Sequence, residues 1–274
     1  MLLMCVSLIA LGVTFISCSK DDNENNHPIS NPKRYLAEIS IKEYEWKYGE
    51  RSSYGELYEL YAYNDKGLVT HSESHHYNSV LKGRADNSID FIYDEIGKLK
   101  EKNAYSFGML SYKYKYEYNS LDSVSVMYQY NADGSLFETY KYEYDSNKRL
   151  SSKTEIYKNT GYISSYEYSG NIVTETTTLL KDGSFYSKST YEYDNYHNLI
   201  KSSYTPSSTG KTTTKVYKYE YDSNGRIIKK TSPNISNEDY FDYSYNADGT
   251  INVIHVSNNY NSTQSDLVYT YTYK

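Results

Sequence analysis

The chain has 274 residues, among them 38 Tyr, 6 Phe and one Trp, and a formal net charge of -6. Mild acidity with Lys and Glu interleaved argues against a nucleic-acid binder, which needs clustered Lys and Arg. Few aliphatics and many Ser, Asn and Lys would suggest disorder, but each tyrosine ring buries a large apolar area while its hydroxyl stays wet, so the chain can still order.

At the amino end, Met1 to Ile16 is apolar, too short and too close to the terminus for a comfortable membrane span. It reads as the apolar region of a secretion signal. Phe15-Ile16-Ser17-Cys18 resembles a bacterial lipobox, which implies that Cys18 is lipidated and becomes the new amino terminus. The following Ser19, Lys20, Asp21 and Asp22 resemble the acidic export tag of Bacteroidota surface lipoproteins, which implies a lipid-anchored outer-membrane protein facing the cell exterior. The two cysteines, Cys5 and Cys18, both fall in this segment, so no disulfide is expected in the folded part. The expected organisation is a signal peptide over 1–17, an acidic tether over 18–34 and one β domain over 35–274.

From Tyr61 onward one phrase recurs: YAYNDKGLV (61–69), FIYDEIGKL (91–99), YEYNSLDSV (116–124), YQYNADGSL (128–136), YEYDSNKRL (142–150), YEYDNYHNL (191–199), YEYDSNGRI (219–227) and YSYNADGTI (243–251), with YEYSGNIV (166–173) as a shortened copy. Such self-similarity governs the fold and is sought first. Asp or Asn suits the first position of a type I turn, and Gly three places on takes the left-handed conformation that closes a bulged hairpin. The bulge sets two residues against one, so the second tyrosine of each phrase should face the aliphatic that ends it. Tyr221 should thus face Ile227, and Tyr118 Val124. Other turns, such as Asn131 to Gly134, Lys158 to Gly161 and Lys181 to Ser184, fall between copies. No long stretch carries a helical period. The predicted fold is all-β, a long antiparallel meander of about 18 strands, curled as an open single-sheet spiral or incomplete barrel.

The phrase resembles the YD repeats of the Rhs family over roughly residues 56 to 251. That resemblance implies strand-turn-strand units coiled into a spiral sheet. The length and the core-delimiting segment of a full Rhs protein are missing, so a cage function is not implied.

Few residues suggest chemistry. His71, Glu73 and His75 share one strand face at a spacing metal ligands use, but ligands along a flat strand diverge, and no metal is expected. The Asn-Ala-Asp-Gly turns lack the bidentate Glu of a calcium loop. No nucleophile motif, phosphate loop or cofactor signature is present, so no enzyme and no cofactor is predicted. Asp122-Ser123-Val124 resembles a Bacteroidota O-glycosylation motif, which implies Ser123 as the acceptor. Tyr219 is expected to lie in a packed ladder, covered by Lys229 and, through Tyr221, by Ile227; cover is expected to thin out at Tyr269, Tyr271 and Tyr273 on a carboxyl edge, the candidate ligand-binding residues. The functional expectation is a cell-surface binding or scaffold module for a glycan, peptide or outer-membrane protein partner. The alternatives are a structural accessory of an outer-membrane assembly and, behind it, an enzyme with its site in the long loops.

Overall fold

The structure, a computed structural model, describes residues 35–47, 50–76, 86–233, 238–258 and 264–273; Cys18 and the export tag Ser19 to Asp22 lie outside them. It is all-β, with 19 strands in one antiparallel sheet. In chain order these are β1 (Leu36–Lys47), β2 (Glu50–Tyr63), β3 (Val69–His76), β4 (Asn87–Tyr93), β5 (Leu99–Ser106), β6 (Met109–Tyr118), β7 (Val124–Asn131), β8 (Leu136–Tyr144), β9 (Leu150–Tyr157) and β10 (Thr160–Ser169). They continue as β11 (Ile172–Leu179), β12 (Phe185–Tyr193), β13 (Leu199–Pro206), β14 (Thr213–Val216), β15 (Lys218–Tyr221), β16 (Ile227–Pro233), β17 (Glu238–Tyr245), β18 (Ile251–Asn258) and β19 (Gln264–Tyr273).

The eight full phrases are hairpins with the expected register. Tyr63 faces Val69, Tyr93 Leu99, Tyr118 Val124, Tyr130 Leu136, Tyr144 Leu150, Tyr193 Leu199, Tyr221 Ile227 and Tyr245 Ile251, each beside a register shift of bulge type. The turn chemistry explains the uniformity. Asp145 accepts the backbone N–H of Asn147 and Arg149 through one carboxylate oxygen, and Asn64, Asp94, Asn119, Asp194 and Asp222 repeat this pattern. Three places on, the chain turns left-handed, at Gly225 (φ 76°) and also at Lys148 (φ 61°), where the side chain is accommodated at a conformational cost.

One phrase departs from the series. YQYNADGSL follows its predecessor by one strand instead of two, so its turn lies at the opposite end of the sheet. Its Tyr128 and Tyr130 sit across from Lys115 and Lys113, on the face away from the other repeat tyrosines. The shortened copy at 166–173 fills the vacant place in the series, pairing Tyr168 with Val173 without a bulge.

β1 pairs with both β2 and β19, so the sheet curls back on itself. Among the described residues a gap lies at β14 and β15, which are a single strand interrupted at Tyr217. β14 pairs with β13 and β15 pairs with β16, and among the described residues no ladder joins the two halves of the wall there. The result is a nearly closed barrel with an unsealed seam, of 18 strands when β14 and β15 count as one. Antiparallel barrels of this strand number enclose an aqueous interior. Burial agrees: among the described residues only Ile41 and Ile254 are buried apolar side chains, and no large side chain is fully buried.

The two faces are unlike. Lys115, Glu117, Lys141, Glu143, Glu167, Lys188, Lys201, Glu220 and Lys229 are exposed in mid-strand, while Tyr114, Tyr116, Tyr142, Tyr166 and Tyr191, on the other face, are half-buried. Side chains splay on the convex side of a curved sheet and crowd on the concave side. The tyrosines therefore line the interior, and the Lys, Glu and Thr ladders cover the outside. Both termini of the barrel, Leu36 and Tyr273, pair with each other at the end that carries the repeat turns.

Candidate functional site: the inner aromatic wall and its seam

The first question is why the wall is tyrosine and not phenylalanine. Its hydroxyls bond across repeats. Tyr93 donates to the Val69 carbonyl at 2.8 Å, Tyr118 to Leu99 at 2.7 Å, Tyr144 to Val124 at 2.8 Å, Tyr168 to Leu150 at 2.8 Å and Tyr245 to Ile227 at 2.6 Å. In each case the second tyrosine of one copy reaches the carbonyl of the aliphatic that closes the previous copy at the same end of the sheet. The phrase thus supplies both the turn register and the stitch between neighbouring hairpins.

Other hydroxyls find carboxylates. Tyr61 donates to Glu59, Tyr140 to Glu138, and Tyr166 and Tyr191 to the two oxygens of Glu175. Burial first, and neighbouring rings second, push the Tyr116 and Tyr243 hydroxyls up to about 12. Burial, aided by the Glu59, Glu138 and Glu175 carboxylates, raises Tyr61, Tyr140 and Tyr166 as well.

Two lysines interrupt this wall in the same way. Lys102 on β5 lies between Phe91 and Tyr114 on the flanking strands, its ammonium 4.3 Å from the Tyr114 ring centre. Lys230 on β16 lies between Tyr219 and Phe241, 5.4 Å from the Phe241 ring. Burial lowers the pKa of both, and neither has a carboxylate partner among the described residues. A third inner lysine, Lys153 opposite Tyr142, is paired with Glu155 at 2.5 Å. Aromatic faces beside an ammonium suit an apolar ring or sugar face next to an anionic group.

The seam is the irregular place. Its end nearer the repeat turns is closed by side chains: Tyr221 donates to Asp194, Asn198 donates to the Tyr221 hydroxyl at 2.8 Å, and the Tyr196 ring packs 4.3 Å from Tyr221. Its other end is open. Thr213, Thr214, Lys215 and Val216 are all exposed, on both faces, and Tyr204 beside them is 44% exposed.

Tyr269 and Tyr271 stack at 6.4 Å on β19, which is no edge, because β18 and β1 flank it; closure of the sheet overturns the premise of a thinly covered carboxyl edge. Tyr271 faces Ile39 and its hydroxyl is pushed up to about 12 by burial first and by Tyr269 and Tyr273 second, while Tyr273 is 43% exposed. Tyr219 stacks on Tyr221 as a ladder member, but Lys230 and not Lys229 faces it, since the bulge moves the register by one and sends Lys229 to the outer face opposite Glu220. Ser123 ends the β6–β7 turn, bonded through its N–H to Asn119 at 3.0 Å. His71 and His75 both meet Glu73, at 2.9 and 2.8 Å, and His71 also meets Asp90 on β4 at 2.6 Å. No group suited to a metal ion occurs among the described residues. Sequence reasoning missed the inner lysines and the seam; prolines at the far ends of β13 and β16, Pro206 and Pro233, were the available signal for the latter.

No family model and no curated protein sequence matches the chain. Solved structures with a partly similar path include a porin-like protein from Bacteroides uniformis (12% identity, TM-score 0.43, covering 87% of this chain and 96% of that one). A porin-like protein from Bacteroides vulgatus matches at 12% identity and TM-score 0.33 over 87% of this chain and 99% of that one. The TcdB2-TccC3 structure matches at 14% identity and TM-score 0.40 over 79% of this chain and 15% of that one. At these scores the likeness is one of β-rich architecture and transfers no property. What the fold and site define is a wide, single-layer barrel of tyrosine hairpins with a polar outside.

Proposed function

We propose that the protein is a non-catalytic binding or scaffold module of the bacterial envelope, held at the outer membrane by a lipid on Cys18, with its barrel in water on the exterior side. The observation that carries this is the outer face. Lys115, Glu117, Lys141, Glu143, Glu167 and Lys188 stand exposed in mid-strand, where a lipid-facing barrel needs a continuous apolar band. A barrel so coated does not sit in the bilayer by its wall, so membrane residence calls for an anchor, and Phe15 to Cys18 has the form of one. The acidic Ser19 to Asp22 segment supports the exterior address. The inner wall, with its exposed aromatic edges and unpaired ammonium groups, is the surface offered to a glycan, a peptide or a protein partner.

The test is metabolic labelling with a fatty-acid analogue. Wild type takes up label and fractionates with the outer membrane; Cys18→Ala takes up none and is recovered in the soluble fraction with an unchanged circular dichroism spectrum. A Cys18→Ala protein that still fractionates with the membrane refutes the anchoring.

A further inference from the structure

The open end of the seam has the properties of a strand-docking edge, and we propose that it binds an extended acidic peptide segment of a partner protein as one additional β-strand. This deepens the binding-module assignment above and rests on it.

The backbone makes the first argument. Tyr217 N–H donates to the Ile200 carbonyl at 2.8 Å, and β14 pairs with β13 through Val216–Lys201, Lys215–Ser202, Thr214–Ser203 and Thr213–Tyr204. In an antiparallel ladder alternate residues direct both backbone groups to the same neighbour. Tyr217, Lys215 and Thr213 therefore spend theirs on β13, and Thr214 and Val216 present N–H and C=O to the other side. Among the described residues no ladder forms on that side along these four residues, although β16 comes within 8 Å of β14: the β15–β16 ladder ends at Lys218–Thr231. The strand across the opening cannot close it, because the next ladder position on β16 falls at Pro233, which has no N–H to give. Natural sheets blunt such edges because they pair with other chains; here two donors and two acceptors are left in line on four exposed residues.

Charge makes the second. The chain as a whole carries a net charge of -6, yet the opening is bordered by Lys211 in the β13–β14 turn, Lys215 on the inner face, Lys218 on the outer face and Lys230 on the inner face of β16. None of the four has a carboxylate partner among the described residues. Of the nearby acids, Asp194 and Asp222 lie at the closed end, engaged with Tyr221 and Arg226, and Asp239 on β17, opposite Ser232 at the open end, is buried. A strand added beside Thr214 and Val216 would place alternate side chains next to Lys215 within the barrel and next to Val216 outside it. Glutamate or aspartate fits the first set of positions and a β-branched residue the second. A second copy of this chain fits poorly: two-fold pairing of like edges would bring the lysines of both copies together.

The probe is a fluorescein-labelled hexapeptide of alternating glutamate and valine, titrated by anisotropy into the full-length chain in detergent. Saturable binding is expected, weakened about tenfold or more by N-methylation of alternate peptide residues, since each lost backbone hydrogen bond weakens an otherwise marginal short ladder. Val216→Pro removes a donor that β13 does not use, so it should abolish binding while the melting temperature stays that of wild type. Lys215→Glu should weaken the acidic peptide and admit a lysine–valine peptide instead, which covers the case in which the proline variant fails to fold. The proposal is overturned if the wild type binds no acidic peptide, binds the lysine–valine peptide equally, or binds the N-methylated peptide as well as the parent. Concentration-dependent dimerisation of wild type that Val216→Pro abolishes would assign the edge to a second copy and overturn it too. Fatty-acid labelling at Cys18 does not involve this edge, so a failure here leaves the anchoring result standing and the two are told apart.

Discussion

Replacing Tyr118 by Phe removes one oxygen atom and leaves the ring. The hydroxyl donates to the Leu99 carbonyl at 2.7 Å, joining one hairpin to the previous one. A neutral hydrogen bond contributes about 0.5–1.5 kcal/mol net. The ring is half-buried, so water can replace part of the lost bond, and about 1 kcal/mol is the expected cost. In a barrel of this size that lowers the melting temperature by roughly 2–4 °C. Tyr130→Phe is the internal control. Tyr130 occupies the same place in its phrase and faces its aliphatic Leu136 in the same way, but it sits on the outer face near Lys115 and has no carbonyl stitch. It should change stability by less than about 0.5 kcal/mol, as ordinary surface substitutions do. Replacing Tyr93, Tyr118, Tyr144, Tyr168 and Tyr245 together should cost about 5 kcal/mol if the stitches are independent, comparable with the whole stability of a typical domain. Urea unfolding followed by the fluorescence of the single Trp46 measures all three. Equal losses for Tyr118→Phe and Tyr130→Phe would show that the hydroxyl stitch contributes nothing and that the rings alone hold the wall.

The left-handed turn positions give a paired expectation: Lys148→Gly, at φ 61°, should stabilise by about 1 kcal/mol by relieving strain, and Gly67→Ala should cost more than Gly134→Ala, because a Cβ at Gly67 would meet the Tyr35 hydroxyl at 2.6 Å and its ring at 2.7 Å while nothing lies within 4 Å at Gly134; thermal melts rank them. The His71 pKa is raised: burial opposes this, but hydrogen bonds to Asp90 and Glu73 outweigh it. Its contribution to stability is therefore full below the unfolded value of about 6.5 and is lost as pH rises through the higher folded value. Glu73 is lowered by its bonds to His71 and His75, so its contribution is present above the unfolded carboxylate value and fades as pH falls through the lower folded one. Melting temperature plotted against pH should accordingly fall above neutrality in wild type, relative to His71→Asn, with a small amplitude because the groups are about one-third exposed; parallel curves would refute the linkage. In a spectrophotometric titration, a class of tyrosines containing Tyr116 and Tyr243 should ionise only near pH 12, and a single homogeneous transition near 10 would show that the wall is open to solvent.

The residues settle the hairpins by themselves. An Asx residue, a left-handed position three places on and alternating tyrosines fix a register within about ten residues of chain, and the Tyr221–Ile227 and Tyr118–Val124 pairs follow from that local chemistry without reference to the rest of the molecule. The polar outside is legible for the same reason, since a period of two sorts Lys and Glu from Tyr along each strand. Closure is different in kind. Whether β19 meets β1 depends on twist and stagger accumulated over the whole sheet, and no residue of Tyr269 to Tyr273 records that sum, so a strand read as an edge proves to be flanked on both sides. Contacts between repeats were hidden likewise: the hydroxyl of Tyr118 and the carbonyl of Leu99 lie 19 residues apart and meet only once two hairpins are laid side by side. The seam is decided at the same level. β14 pairs with β13 and β15 with β16, and between those two commitments the ladder does not continue, so four residues that look like an ordinary strand in sequence become, among the described residues, a free edge of the wall.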